Sequence, residues 1–386
     1  AMWRLNESLR HFDKLLRLSP GDGDYRRARA NVLYALGHEG AAIAEWTALA
    51  EAVPPDQKAI INLGWAAWKN KDLEAAYKHG ARLLQLDENN PMYLRFVANL
   101  QIERGEQLDA LRLAQLALDL LGKDKDASLI KAKALFNLRR DKEAMAVLTV
   151  LLRDFPDNQQ IIFHLADFLD GMDRKAEALV FFNRLINTYP ENLTYRYRRA
   201  DIHYNLGEFD KATAEWQRLT ERYPAETRAL QLLADDAVSR AAWDEALNYI
   251  ERLAGRKPLD ETTWQRLAMV YQSMKAYPQA IAAAEKAIAL APADQGSWFT
   301  KAETLELMGE HDMAEGIYHQ ILQRNPNSTR TLASLGRIAE AKGDYARAIR
   351  LTQTIRNMAF SDGTSSPYLD ILEARLWADW GKIESG

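Results

Sequence analysis

Apolar residues recur at three- and four-residue spacings along almost the whole chain, interrupted by short polar turns. In the stretch Glu191 to Pro224, Arg199, Ala200 and Tyr204 are followed by Gly207, Phe209, Ala212, Trp216 and Leu219. This spacing on both sides of a glycine predicts two amphipathic helices joined by a tight turn. Small residues in the middle of each helix let the two axes approach closely, while Trp216 and Leu219 are placed to fill the gap to the neighbouring unit. Pro224 ends the second helix, since proline supplies no amide hydrogen and restricts the residue before it. One such pair buries only part of its apolar surface, so the units are expected to stack and to stand or fall together.

The pattern repeats in register. Ser8, Ala42, Ala76, Ala110, Ala144, Ala178, Ala212, Ala246, Ala280, Ala314 and Ala348 each follow the last by 34 positions. A second ladder of small residues keeps the same step: Ala30, Gly64, Ala98, Ala132, Ala166, Ala200, Ala234, Ala268, Ala302 and Gly336. A third lies between units, at Pro20, Pro54, Pro156, Pro190, Pro224, Pro258, Pro292 and Pro326, with Glu88 and Gly122 as the departures. On these residues the chain resembles the tetratricopeptide repeat (TPR) family over roughly residues 3 to 356. The resemblance implies an all-α solenoid, a right-handed superhelix of about ten helix-turn-helix repeats with ligands held in a concave groove lined by first helices. Residues 1–22 are then a partial N-terminal repeat contributing its second helix, and 23–356 are ten units. Residues 357–386 are a loop, read from Asn357 to Pro367, and a C-terminal capping helix starting near Ser365, Ser366 and Pro367, with Leu369, Leu372, Leu376, Trp377 and Trp380 as its apolar stripe.

Composition fits a folded chain: 47% apolar, 27% charged, net charge −4. The longest apolar stretch, Ala144 to Leu152, is too short to cross a bilayer, so no membrane span is expected. The chain opens Ala1-Met2-Trp3 and is inside a second helix by Ser8, so a segment of a longer array is expected. Cysteine is absent, which excludes disulfides, cysteine-zinc sites and thiol catalysis, and agrees with an oxidising compartment without requiring one.

Chemistry is harder to find. The chain carries no nucleophile elbow, phosphate-binding loop, dinucleotide fingerprint or His-Glu-x-x-His pair, so a non-enzymatic protein without cofactor or metal is expected. Gly21-Asp22-Gly23-Asp24 lacks the alternating ligands of a calcium loop and falls at a repeat boundary. The seven histidines are scattered and read as helix-surface residues.

Carried over from the family by register, the groove positions are the second, fifth, ninth, twelfth and thirteenth of each unit, counted so that Ala30, Gly64 and Ala98 are eighth. They place Arg27, Asn31, Tyr34, Trp65, Trp68, Lys69, Arg95 and Asn99 at a basic, aromatic end, with Trp68 the better contact candidate of the two tryptophans. Phe163, Asp167, Asp170, Tyr197, Asp201, Tyr204 and Asp235 follow, and Asp167, Asp201 and Asp235 share one position in three consecutive units. Arg27 with Asn31, and Arg95 with Asn99, resemble half of the carboxylate clamp of chaperone-binding family members, but Trp65 stands where that clamp needs asparagine. The acidic ladder either solvates a curved wall or suits a cationic ligand, through ion pairs and aromatic stacking. A groove that turns acidic midway disfavours nucleic acid.

The expected function is therefore a scaffold binding a protein partner in the groove. Array length, degenerate units, frequent aromatics and absent cysteine also resemble the periplasmic repeat regions of bacterial exopolysaccharide export or modification proteins. That resemblance implies a periplasmic location, with a cationic amino-sugar polysaccharide or its deacetylase as partner. The competing expectation is a cytosolic adaptor that assembles a protein complex.

Overall fold

The structure, a computed structural model, describes residues 2–361 and 367–384. Among them all regular structure is helical and no strand occurs. After α1 (Met2–Leu18), the first helices of successive repeats are α2 (Gly23–Ala35), α4 (Gln57–Lys69), α6 (Pro91–Glu103), α8 (Lys125–Asn137), α10 (Gln159–Gly171), α12 (Leu193–Asn205), α14 (Arg228–Ser239), α16 (Glu261–Ser273), α18 (Gln295–Leu307) and α20 (Thr329–Ala341). The second helices are α3 (Glu39–Glu51), α5 (Leu73–Leu86), α7 (Gln107–Leu121), α9 (Asp141–Asp154), α11 (Lys175–Thr188), α13 (Phe209–Arg222), α15 (Trp243–Arg256), α17 (Tyr277–Leu290), α19 (His311–Arg324) and α21 (Tyr345–Ser361). Last comes α22 (Pro367–Glu384).

Two compact units divide the chain, Ala1–Ile202 and His203–Gly386. In the first, α2 packs on α3, α4 on α5, α6 on α7, α8 on α9 and α10 on α11, and each second helix also packs on the next first helix. Ala42, Ala76, Ala110, Ala144 and Ala178 sit in these contacts at no more than 1% exposure, where any larger side chain would push the helices apart. The second unit repeats the scheme from α13 through α21, with Ala212, Ala246, Ala280, Ala314 and Ala348 equally buried.

Each turn from first to second helix needs one residue in the left-handed region, fifteenth in its unit. Glycine supplies it at Gly37, Gly105, Gly207, Gly309 and Gly343, which adopt it without a Cβ clash. Lys71, Arg139, Asp173, Ala241 and Lys275 are held at φ 63°, 60°, 61°, 54° and 60° instead, against the steric preference of an L residue. The first helices begin on side-chain caps that also follow the period. Asp22, Asp56, Asp124, Asp260, Asp294 and Ser328 each accept from the amide three residues on, and Asn90 and Asn158 cap α6 and α10. Asp22, inside the calcium-like stretch, is thus a helix cap.

The C-terminal segment departs from expectation. Residues 357–361, expected to be loop, continue α21, because the helix has no breaker before Ser361. The rest of the expected loop, including Ser365 and Ser366, lies outside the described residues. α22 covers the last repeat: Leu376, 2% exposed, packs with Ala339, Ala348 and Ile349, and Arg375 and Glu373 pair with Glu340 and Arg356.

Two substitutions check this packing. Ala212→Trp is expected to cost about 1–3 kcal/mol or more by overpacking the fully buried site of Ala212 on α13, with loss of hydrogen-exchange protection starting around residues 193–225. Ala241→Gly is expected to raise stability by up to about 1 kcal/mol, read as a higher melting temperature, because it relieves a left-handed alanine.

Candidate functional site

On the first-helix side of the first unit, two hollows meet at Trp65. One, of 410 Å³, is lined by Asn31 and Tyr34 of α2, Trp46 of α3, and Asn62, Trp65, Ala66 and Lys69 of α4. The other, of 360 Å³, is bounded by Trp65, by Met92, Arg95, Phe96 and Asn99 of α6, by Asp126, Leu129, Ile130 and Lys133 of α8, and by Gln160 and His164 of α10. Between them stands an aromatic cluster. Trp65 stacks on Trp68 with ring centres 5.0 Å apart and leans on Phe96 at 4.9 Å. Trp65 is 47% exposed and Trp68 half-buried, so Trp65 offers the larger free face, the reverse of the order expected from sequence. Phe96 reaches this place because α4 carries Gly64 below it: a Cβ there would lie 2.7 Å from the Phe96 ring.

Many of the charged candidates are engaged by the chain itself. Arg27 bonds Asp24 and Asp56, and Asp56 is the cap of the next first helix. Arg95 does the same two repeats further on, 2.9 Å from the cap Asp124 and 3.4 Å from Asp126. Asn31 accepts from Trp46 at 3.0 Å and from Asn62 at 2.8 Å, and Asn99 donates to the Arg95 carbonyl. These bonds occupy all four residues of the two half-clamps, and no clamp is assembled from them. Lys69 reaches Glu39 at 3.2 Å and lies over the Tyr34 ring at 4.8 Å; the Glu39 bond, then Tyr34, hold its ammonium above the ordinary value.

The acidic candidates are likewise placed as inter-repeat links. Arg198, from the following first helix, bonds Asp167 and lies 3.6 Å from Asp170, whose carboxyl burial pushes up against the pull of Lys175. In the second unit Arg266 takes Asp235 at 2.7 Å. Asp201 is half-buried. Tyr197, expected to line the groove, is 4% exposed: at its position the ring fills the core and offers no face to a ligand. Phe163 is half-buried among Tyr195, Phe182 and His164, and Tyr204 packs against Trp216 and Phe209.

Two further residues stand in the second hollow, one a groove position by the same register and the other read from sequence as a helix-surface histidine. Lys133 and His164 neighbour one another there, at the ninth position of α8 and the sixth of α10. Burial, then the Lys133 charge, lower His164 to about 4, so it is neutral at physiological pH. The signal available was weak: Lys133 was visible as a groove position, but nothing in a single sequence shows which lysine lacks a partner. Among the described residues no group of three or more histidine, aspartate or glutamate side chains could hold a metal, and no helix is long and apolar enough to cross a membrane.

Alternating helix pairs in fixed register, each closed by one left-handed residue, define an α-helical repeat solenoid. Family profiles described as tetratricopeptide repeat match residues 27–91, 126–158, 160–192, 195–225, 261–294 and 297–328, more than half of the chain between them. The chain belongs to the tetratricopeptide repeat family. No curated protein matches it. Similar solved structures include a crystal structure of MamA, at 20% identity and TM-score 0.39, covering 42% of this chain and 96% of that one. A second crystal structure, of MamA protein, gives 19%, 0.41, 44% and 93%. A crystal structure of the yeast Tom70 gives 13% identity and TM-score 0.37 over 94% of this chain and 96% of that one.

The His164 environment makes a pH prediction. Its folded value of about 4 lies below the ordinary 6.5, so the unfolded chain binds more protons between those values. The stabilisation is complete above about pH 6.5 and is lost as pH falls toward 4. Denaturant titrations of His164→Leu and wild type should diverge in the variant's favour by on the order of 1–3 kcal/mol between pH 7 and pH 4.5. A constant difference across that window would show that His164 is not held neutral.

Proposed function

We propose that this protein is a non-catalytic interaction scaffold, and that the first-helix face from α2 to α10 receives an extended segment of a protein partner. The observation that carries this reading is the pair of hollows meeting at a half-exposed Trp65 backed by Trp68 and Phe96. Apolar aromatic anchors beside concave space, ringed by polar groups, are what protein-binding hot spots consist of. The repeat family supports the scaffold role in general.

Peptides selected from a random library against the intact chain test the assignment. Trp65→Ala should weaken their binding about tenfold or more, with little change in melting temperature because the ring is half in solvent. Lys78→Ala, on the exposed side of α5, should leave binding unchanged. Binding that survives Trp65→Ala, or falls equally with Lys78→Ala, moves the site elsewhere.

A finer form of the proposal sets the scaffold in exopolysaccharide export, in the periplasm, with a cationic amino-sugar polymer or its deacetylase as partner. It draws on the acidic register positions, but arginines already engage Asp167, Asp170 and Asp235, which weakens the field left for a cation. Partly deacetylated and fully acetylated amino-sugar oligomers are therefore expected to bind alike in titration calorimetry. A salt-sensitive preference for the deacetylated oligomer, together with export of the natural protein on cell fractionation, would restore that reading over the cytosolic adaptor.

A further inference from the structure

Among the described residues of this face, Lys133 is a half-buried cation outside the pattern of internal pairing. Arg27, Lys69 and Arg95 on the same face all contact carboxylates of the chain. Lys133 makes no hydrogen bond or ion pair among the described residues, although it is half-buried in the wall of the second hollow. Burial lowers the affinity of its amine for a proton, and the field of Glu103, an exposed carboxylate near the end of α6, only partly offsets this. Asp126 lines the same hollow but is engaged by Arg95 and by Lys125 at 3.5 Å. A half-buried ammonium without a hydrogen-bonded counter-charge is costly, and its own chain does not relieve it.

We infer that this hollow takes an acidic side chain from the partner's peptide segment, whose carboxylate pairs with Lys133 while an adjoining apolar residue packs on Trp65 and Phe96. The inference rests on the reading of this face as a peptide-binding surface. The chemistry selects the class of ligand group. A cation meets Lys133 and Arg95 and is repelled; a neutral group leaves Lys133 uncompensated. A single uncompensated positive charge matches one carboxylate better than it matches a phosphoryl group carrying nearly two charges. The neutral His164 and the exposed Gln160 amide border the space and have hydrogen-bond donors to offer a second carboxylate oxygen. The aromatic wall lies on the α4–α6 side of the same hollow, so charge and apolar area are offered side by side.

The experiment starts from random dodecapeptides selected against the intact chain and remade with amidated C-termini, so that side chains supply the only negative charge. The binders should carry Asp or Glu beside an aromatic or large aliphatic residue. Replacing that acid by its amide should weaken binding to wild type about tenfold. On Lys133→Met the same replacement should matter less than about threefold. Without ligand, Lys133→Met should melt about 2 °C or more above wild type, since an uncompensated charge has been removed. Peptides that depend on Trp65 but show equal acid-to-amide losses on wild type and Lys133→Met would overturn the inference and leave the scaffold reading intact. A failure to select any peptide would overturn both. A lower melting point for Lys133→Met would mark the lysine as structural, and an oligouronate that binds as tightly as the peptides with the same Lys133 dependence would replace the peptide with an acidic sugar.

Discussion

The contact between paired helices at Ala42, Ala76, Ala110 and their successors, none more than 1% exposed, sets how closely the axes approach, and the other features of the repeat follow from that distance. Because the small residue lies mid-helix, the helices on either side can be short and still bury large residues such as Leu83, Phe182 and Tyr318 completely. Short helices leave a high proportion of chain ends, and each end must satisfy its backbone groups. Hence the periodic caps at Asp22, Asp56, Asp124, Asp260 and Asp294, and the left-handed residue in every turn from Gly37 to Gly343.

The caps in turn organise the charges. A carboxylate placed at a helix start to satisfy amides still has oxygen capacity to spare, and in the first unit an arginine from the preceding repeat uses it: Arg27 on Asp56, Arg95 on Asp124. Further along, the direction reverses, and acids late in one first helix meet arginines of the next. Arg198 reaches back to Asp167, Arg266 to Asp235, and Arg337 to Glu306 at 3.0 Å. The acidic and basic stretches of the face are therefore largely internal links between neighbours. Exposed links of this kind are individually weak, about 0–1 kcal/mol, so their effect is to fix which repeat surface remains unpaired more than to hold the stack together.

What was legible in the sequence follows the same division. Alanine, glycine and proline betray their roles by type alone, since few other residues fit a close crossing or stop a helix, and the period made them readable. Charged residues do not: Asp167 facing solvent and Asp167 bonded to Arg198 are written identically, because the partner lies on another repeat at an angle no single sequence specifies. Tyr197 was misplaced for a related reason, as a tyrosine at a groove register can turn its ring into the core. The cap ladder was legible in principle, in Asp, Asn and Ser at one fixed spacing, but lay beside the more conspicuous proline ladder. The end of α21 was not, since Asn357 to Ser361 contains no strong breaker and the packing of α22 on that repeat is a tertiary fact.

One position apart, the repeat keeps architecture and recognition separate. The eighth residue of each first helix is small throughout, from Ala30 to Gly336, because the partner helix crosses there. The ninth faces outward and varies without restraint: Asn31, Trp65, Asn99, Lys133, Asp167, Asp201, Asp235, Met269, Glu303 and Arg337. At Gly64, unlike Gly336, the space a methyl would fill is taken by Phe96 from the next repeat, and Gly80 on α5 yields to the same ring and to Val97. Those two glycines cost helix propensity, roughly 1 kcal/mol each against alanine, and what they permit is the aromatic support beneath Trp65. Two glycines, one exposed tryptophan and one half-buried lysine without an ion pair, within three successive repeats, are departures from regularity that make physical sense together as a surface shaped for a partner.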